Sequence, residues 1–238
     1  GGDDIEAGIG NDIILGDGGS LVYTSGVLTR LESTANAQGN DRIVVLDGDN
    51  VIVGGAGVDD ITSGNGNDVI LGDNGVIEWT EAGILHSITA LNTEPNGYDD
   101  IVDAGNGDNI VVGGDGDDSI QTGSGSDIIL GDTGEILFEA GLIKSIITSN
   151  DGDGDDDIST GAGDDTVLAG LGSDVIDTGA NDDIVIADTG SIEKNALTEP
   201  ATLIKNDVDP SQGGDDIVYL GDGADLALGG FGADFIDG

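Results

Sequence analysis

The sequence predicts an all-β solenoid made of short strands and tight turns. Two observations carry this. First, a nine-residue unit recurs sixteen times in register, with the pattern x-G-x-G-x-D-x-(Ile/Val)-x. A clean stretch is Gly54-Gly55-Ala56-Gly57-Val58-Asp59-Asp60-Ile61-Thr62, followed by Ser63-Gly64-Asn65-Gly66-Asn67-Asp68-Val69-Ile70-Leu71. Position six is Asp in fourteen copies and Asn in two (Asn50, Asn109); position four is Gly in fourteen, with Tyr98 and Asn181 as exceptions. Position eight is Ile or Val in fifteen copies, with Ala227 as the exception. A fixed period with three locked positions marks a repeat that stacks on itself. Second, the segments beginning at Gly16, Gly72, Gly131 and Ala187 start 56, 59 and 56 residues apart, so a longer period overlies the short one.

Each part of the unit has a physical role. Positions one to six hold glycines and a carboxylate, which suits a turn, because Gly accepts positive φ without steric cost. Positions seven to nine are β-branched or apolar and form a three-residue strand. The middle residue points inward and its neighbours outward, which accounts for the strict apolarity of position eight. Two units make one flattened coil with a turn at each edge. Stacking brings each position-six residue beside the one two units later, so Asp59 is expected beside Asp41 and Asp68 beside Asn50. Carboxylate and carbonyl oxygens, with no Cys and one His, suit a hard cation with six or more oxygen ligands, which is Ca²⁺.

These residues resemble the RTX (repeats-in-toxin) family, whose nonapeptide G-G-x-G-x-D-x-U-x forms a calcium-bound, right-handed parallel β-roll. The full motif stands in Gly113-Gly114-Asp115-Gly116-Asp117-Asp118-Ser119-Ile120 and in Gly229-Gly230-Phe231-Gly232-Ala233-Asp234-Phe235-Ile236. The resemblance implies that position six supplies the side-chain ligand and that turn carbonyls supply most of the rest. The candidate metal ligands are therefore Asp12, Asp41, Asn50, Asp59, Asp68, Asp100, Asn109, Asp118, Asp127, Asp156, Asp165, Asp174, Asp183, Asp216, Asp225 and Asp234. To these we add the Asp of each Gly/Ala-Asp-x-Gly segment, namely Asp17, Asp73, Asp132 and Asp188. Ions are expected along both long edges. Asp115, by contrast, is expected to be exposed. The resemblance also implies folding outside the cell after type I secretion, since extracellular modules bind calcium at roughly 10⁻⁴–10⁻³ M.

Charge points the same way. Asp and Glu number 49 against five Lys and Arg, a net charge of -44. Without the ion, carboxylate repulsion and short strands favour disorder. Nucleic acid is excluded as a partner, because phosphate binding needs clustered Lys and Arg. Anionic membrane surfaces are disfavoured for the same reason, and no stretch approaches a membrane span. The chain starts in one turn and stops in another, so it reads as a piece of a longer repeat protein, extracellular or on the cell surface.

Each long period holds four nonapeptides and one 20–24-residue segment of a different kind. Glu135–Thr148 and Val76–Thr89 both read as two short strands around a Gly-containing turn. The segment is either a third, wider coil or a projecting hairpin. Its length, matching two nonapeptides, favours the coil. With it counted, about twelve stacked coils at ~4.8 Å make a rod of roughly 57 Å. Residues 1–238 form one continuous solenoid segment, with super-repeats at about 16–71, 72–130, 131–186 and 187–238. Tyr23, Trp79, Phe138 and Lys194 hold one equivalent position, read first as strand-edge packing and second as a binding row. His86 reads as an ordinary exposed strand residue. Arg30, Lys144, Lys194 and Lys205 fall in the long segments and read as charge relief.

Paired-carboxylate catalysis needs one cleft, whereas these carboxylates recur at identical turn positions. No G-x-S-x-G, H-E-x-x-H or G-x-x-x-x-G-K occurs, so no enzyme is expected. Three classes stand: a calcium-stiffened structural repeat of a surface protein, adhesin or filament; a secretion and folding module of a toxin or secreted enzyme; and a glycan- or ice-binding solenoid. The long period favours the first, with other copies of the chain, end to end or lateral, as candidate partners beside calcium.

Overall fold

The computed structural model describes residues 1–34, 39–91, 98–150, 152, 154–194, 203–206 and 213–238. These residues form strands and turns in three sheets, with no helix among them. Two sheets are parallel, with nine and eight strands, and come from the nonapeptides; the third has eight antiparallel strands and comes from the long segments. Successive nonapeptides alternate between the parallel sheets. Asp60–Thr62 pairs with Arg42–Val45 and Ile101–Asp103 in the first, which we call the outer sheet. Val69–Leu71 pairs with Val51–Val53 and with the strand Ile110–Gly114 in the second, the middle sheet.

Position eight fills the space between these two sheets, as the strand alternation requires. Ile14, Ile43, Ile52, Ile61, Ile70, Val102, Val111, Ile120 and Ile129 make one continuous buried row with their later equivalents. Position four is held at Gly by two constraints. Gly57 and Gly66 have φ of 138° and 142°, and a Cβ on either would strike the carbonyl of the coil before, at Gly39 or Gly48. Asn181 replaces Gly with a φ of 94°, which a short amide side chain tolerates better than most.

The long segments are hairpins, and the expected third coil is corrected accordingly. Gly19–Thr24 pairs antiparallel with Val27–Ser33, Gly75–Trp79 with Leu85–Ala90, Gly134–Glu139 with Leu142–Thr148, and Gly190–Glu193 with Leu203–Asn206. Ser25-Gly26 and Ala140-Gly141 close their hairpins with φ of 53° and 86°, and 54° and 80°. Positive φ at both residues is the turn that matches strand twist in a two-residue loop. Each hairpin adds two strands to the third sheet, while four nonapeptides add two strands to each parallel sheet. All three sheets therefore grow in step, and the length match that suggested a coil is satisfied by the hairpin. Nine outer strands at ~4.8 Å give a stack of about 40 Å in place of the longer twelve-coil rod.

The hairpin sheet covers the middle sheet. Leu21, Leu31, Ile77, Ile88, Ile136, Ile146, Ile192 and Ile204 are paired in register across all eight hairpin strands. From Leu31 to Ile192 this ladder is buried against Val53, Leu71, Val112, Leu130, Leu168 and Ile186 of the middle sheet. The middle sheet is thus buried on both faces, and its strands read as apolar runs such as Val51-Ile52-Val53 and Val69-Ile70-Leu71, as doubly buried strands do. Outer strands such as Asp60-Ile61-Thr62 bury their central residue alone. The last Gly of each Gly/Ala-Asp-x-Gly segment sits at this contact: a Cβ on Gly75 would strike Leu71 Cδ2.

Candidate metal centre

The position-six residues form two rows, one along each edge of the roll. On the plain edge, where the chain passes from outer to middle sheet, stand Asp12, Asn50, Asp68, Asn109, Asp127, Asp165, Asp183 and Asp225. On the opposite edge every second crossing carries a hairpin. This hairpin edge holds Asp41, Asp59, Asp100, Asp118, Asp156, Asp174, Asp216 and Asp234.

Both rows are hydrogen-bonded along the stack. The Asp41 amide donates to Asp59 Oδ1 at 2.7 Å, the Asp59 amide to Asp100 Oδ1 at 2.7 Å, and the Asp100 amide to Asp118 Oδ1 at 2.8 Å. The chain of bonds continues through Asp156, Asp174 and Asp216 to Asp234. On the plain edge it runs from Asp12 through Asn50, Asp68, Asn109, Asp127, Asp165 and Asp183 to Asp225. The expected pairs, Asp59 with Asp41 and Asp68 with Asn50, are therefore in contact.

The second carboxylate oxygen is the unusual feature. Oδ2 of Asp41, Asp59, Asp100, Asp118, Asp156, Asp174 and Asp216, and of Asp127, Asp165 and Asp183, is buried and accepts no hydrogen bond. A buried charge without a partner is costly. On the hairpin edge these oxygens share their space with backbone carbonyls. A Cβ on Gly54 would strike both Asp59 Oδ2 and the Gly72 oxygen; one on Gly113 would strike Asp118 Oδ2 and the Gly131 oxygen. Position-one glycine thus leaves a small cradle where a carboxylate and a carbonyl converge. Two oxygens facing one point repel each other unless a cation lies between them.

Electrostatics register the same demand. Burial pushes Asp59, Asp156 and Asp216 up to about 7 and Asp174 up to about 10. Asp100 and Asp118 are raised well above the usual carboxylate range, first by burial and then by neighbouring carboxylates, Asp73 beside Asp100 and Asp156 beside Asp118. Among the described residues no three His, Cys, Asp or Glu side chains close around one point. An ion held at either edge would draw its remaining ligands from the turn carbonyls.

Asp17, Asp73, Asp132 and Asp188 also lie on the hairpin edge, one coil ahead of a turn on that same edge that carries no hairpin. Their carboxylates accept the amides of Ala56 at 3.0 Å, Asp115 at 2.9 Å, Leu171 at 2.5 Å, and Phe231. They cap the next turn and place a further carboxylate near the row. Asp115, read as exposed, is buried under this cap. A second ladder was not anticipated. At position five, exposed side chains accept the position-five amide of a neighbouring coil, as Asp49 does from Asn67 and Asp117 from Asp155, at 3.0 and 2.9 Å. The run of Asn, Asp and Ser at position five is its sequence signal.

The other singled-out residues have local roles. Phe138 is buried and Trp79 half-buried against the hairpin core, while Tyr23 is exposed. His86 is exposed on its strand. Arg30 pairs with Glu78 at 2.5 Å and Glu32 at 3.1 Å, Arg42 with Asp4 at 3.0 Å, and Lys205 with Glu193 at 3.4 Å, which fits charge relief.

Comparison with known families gives a match over more than half of the chain. The model of the RTX calcium-binding nonapeptide repeat matches in four copies, over residues 37–70, 96–135, 150–190 and 212–238. The three breaks between copies fall on or beside the later hairpins. No curated protein and no solved structure gives a match.

Proposed function

Since the chain belongs to the family of RTX calcium-binding nonapeptide repeats, we propose that it is a calcium-stiffened rod element of a secreted surface protein, adhesin or filament. RTX repeats bind calcium and are typical of secreted bacterial proteins. The observation that carries the reading is the paired row of buried, hydrogen-bond-free Oδ2 atoms on the two edges. Asp41, Asp59, Asp100, Asp118, Asp156, Asp174, Asp216 and Asp234 hold calcium on the hairpin edge, with Asp17, Asp73, Asp132 and Asp188 beside them. Asp127, Asp165, Asp183 and Asp225 hold it on the plain edge. Each ion ties two coils together and offsets the charge repulsion of a chain with net charge -44.

Residues 1–238 act as one solenoid with super-repeats near 16–71, 72–130, 131–186 and 187–238. Function is distributed along the length, because the repeats offer the same surface again and again. The continuous hairpin sheet supports a structural role over that of a bare folding module, since it adds a third layer and a second core. The extracellular surface is the matching location, because millimolar calcium would fold the chain there and leave it unfolded during export.

Small-angle X-ray scattering with and without calcium tests this reading. With calcium the radius of gyration should be near that of a folded chain of this length, roughly 18–20 Å; with excess chelator it should rise toward roughly 50 Å. The same compact dimensions in chelator and in calcium would overturn it.

A further inference from the structure

We propose that Asn50 and Asn109 are built-in substitutes for calcium, so that the plain edge closes without an ion as far as Asn109 and takes ions from Asp127 onward. The inference rests on the calcium reading above and deepens it by assigning which turns need no metal.

The argument starts from the shared anchor. In every interior turn of the plain edge, Oδ1 of the position-six residue accepts an amide from the coil before. Asn50 Oδ1 takes that of Asp12 at 3.0 Å, Asn109 Oδ1 that of Asp68 at 3.0 Å, and Asp127 Oδ1 that of Asn109 at 2.8 Å. With Oδ1 fixed, the other atom of the planar head group falls in one equivalent place. In Asp127, Asp165 and Asp183 that atom is Oδ2; a threonine hydroxyl stands beside each carboxylate, but Thr122, Thr160 and Thr178 donate their hydrogens to the carbonyls of Thr160, Thr178 and Leu220 in the next coil at 2.9, 3.0 and 3.3 Å, so the buried Oδ2 accepts no hydrogen bond. In the two asparagines it is Nδ2, and it donates. Asn50 Nδ2 reaches the Gly48 oxygen at 2.9 Å and the Leu46 oxygen at 3.4 Å; Asn109 Nδ2 reaches those of Gly107 at 3.1 Å and Gly105 at 3.5 Å. These are the position-four and position-two carbonyls of the same turn. The amide hydrogens thus hold the oxygens that a cation would otherwise gather.

Two further observations agree. Position one beside each Asn is apolar and buried, Val45 and Ala104, whereas beside Asp68, Asp127, Asp165 and Asp183 it is Ser63, Thr122, Thr160 and Thr178. The end coils depart from this pairing, with Ala7 and Leu220 accompanying Asp12 and Asp225. Asp68 lies between the two asparagines, and its Oδ2 accepts the Ser63 hydroxyl at 2.5 Å. From Asp12 to Asn109, then, no buried head-group atom of the plain row lacks a hydrogen bond, while on the hairpin edge the bare oxygens run from Asp41 to Asp216. The roll is left with an edge segment that is complete without metal beside one that is not.

The test is a count of calcium bound per chain, by equilibrium dialysis at millimolar calcium, on the 238-residue wild type and two double variants whose β signal in calcium is checked by circular dichroism. Asn50→Asp with Asn109→Asp should bind more calcium than wild type and lose more of its β signal in chelator. Asp127→Asn with Asp165→Asn should bind less calcium and lose less β signal. If the Asn→Asp variant gains no calcium, or the Asp→Asn variant loses none, while wild type binds it, this inference falls alone. Wild type that binds none overturns the calcium reading, and this inference with it.

Discussion

Asp59 Oδ1 accepts the backbone amide of Asp41 at 2.7 Å, and Asp59 Oδ2, on the same carbon, is buried with no donor. One carboxylate therefore does two jobs. It continues the hydrogen bonding of the turn along the stack, and it presents a bare charge to the Gly72 carbonyl that shares its cradle. The first job holds coils in register; the second makes them depend on a cation.

Asp59→Ala removes both. The buried Asp41 amide loses its acceptor, which costs about 1–3 kcal/mol, and a calcium ligand goes with it. In calcium the variant should melt well below wild type and bind less calcium. Asp60→Ala, its neighbour on the exposed face of the outer sheet, should stay within about 0.5 kcal/mol of wild type. Equal melting of the two variants would contradict the role given to Asp59.

The raised carboxylates give a pH dependence whose sign depends on calcium. Without calcium, folded Asp59, Asp156 and Asp216 hold protons up to about 7 and Asp174 up to about 10, while the unfolded chain releases them near ~3.9. The folded state binds more protons across that window, so stability is present at low pH and lost as pH rises through it. In chelator the β signal should be stronger at pH ~5 than at pH ~8. In calcium the order should reverse, because ligand oxygens must be deprotonated to bind. Thermal melts by circular dichroism in the two buffers check this; stability that rises with pH in chelator would contradict it.

The hairpin sheet is held by its inner ladder. Ile136 is fully buried and pairs with Ile88 on one side and Ile146 on the other. Ile136→Ala should cost about 2–5 kcal/mol. Ile147→Ala, on the exposed face of the same sheet, should cost far less. Denaturant midpoints in calcium separate the two; similar shifts would mean that the hairpins do not share a core with the roll.

The turn-and-strand plan was legible because three positions repeat: Gly57, Asp59 and Ile61 stand for a turn, a stacked carboxylate and a core residue in every copy. The third sheet was harder to see. Ser25-Gly26 and Ala140-Gly141 carried the signal for tight hairpin turns, yet a hairpin and a coil can be built from the same number of residues, so spacing in the sequence could not separate them. The apolar triplets Val51-Ile52-Val53 and Val69-Ile70-Leu71, set against Asp60-Ile61-Thr62, encoded a sheet covered on both faces. Reading position eight alone hid that alternation. The burial of Asp115 depends on Asp73 from a turn 42 residues earlier, a contact that only the stacked register reveals. The same register exposes the difference between Asn50 and Asp127, which share a position in the repeat and differ in what their second head-group atom does.

The location of the ions tests the central claim most directly. Anomalous diffraction from crystals grown in calcium, or with a lanthanide in its place, would show where cations sit. Peaks are expected in the hairpin-edge cradles, about 2.3–2.6 Å from Oδ2 of residues such as Asp59, Asp118 and Asp174, and on the plain edge from Asp127 onward. Peaks confined to exposed carboxylates on the sheet faces, or none at the turns, would contradict a roll held together by calcium between its coils.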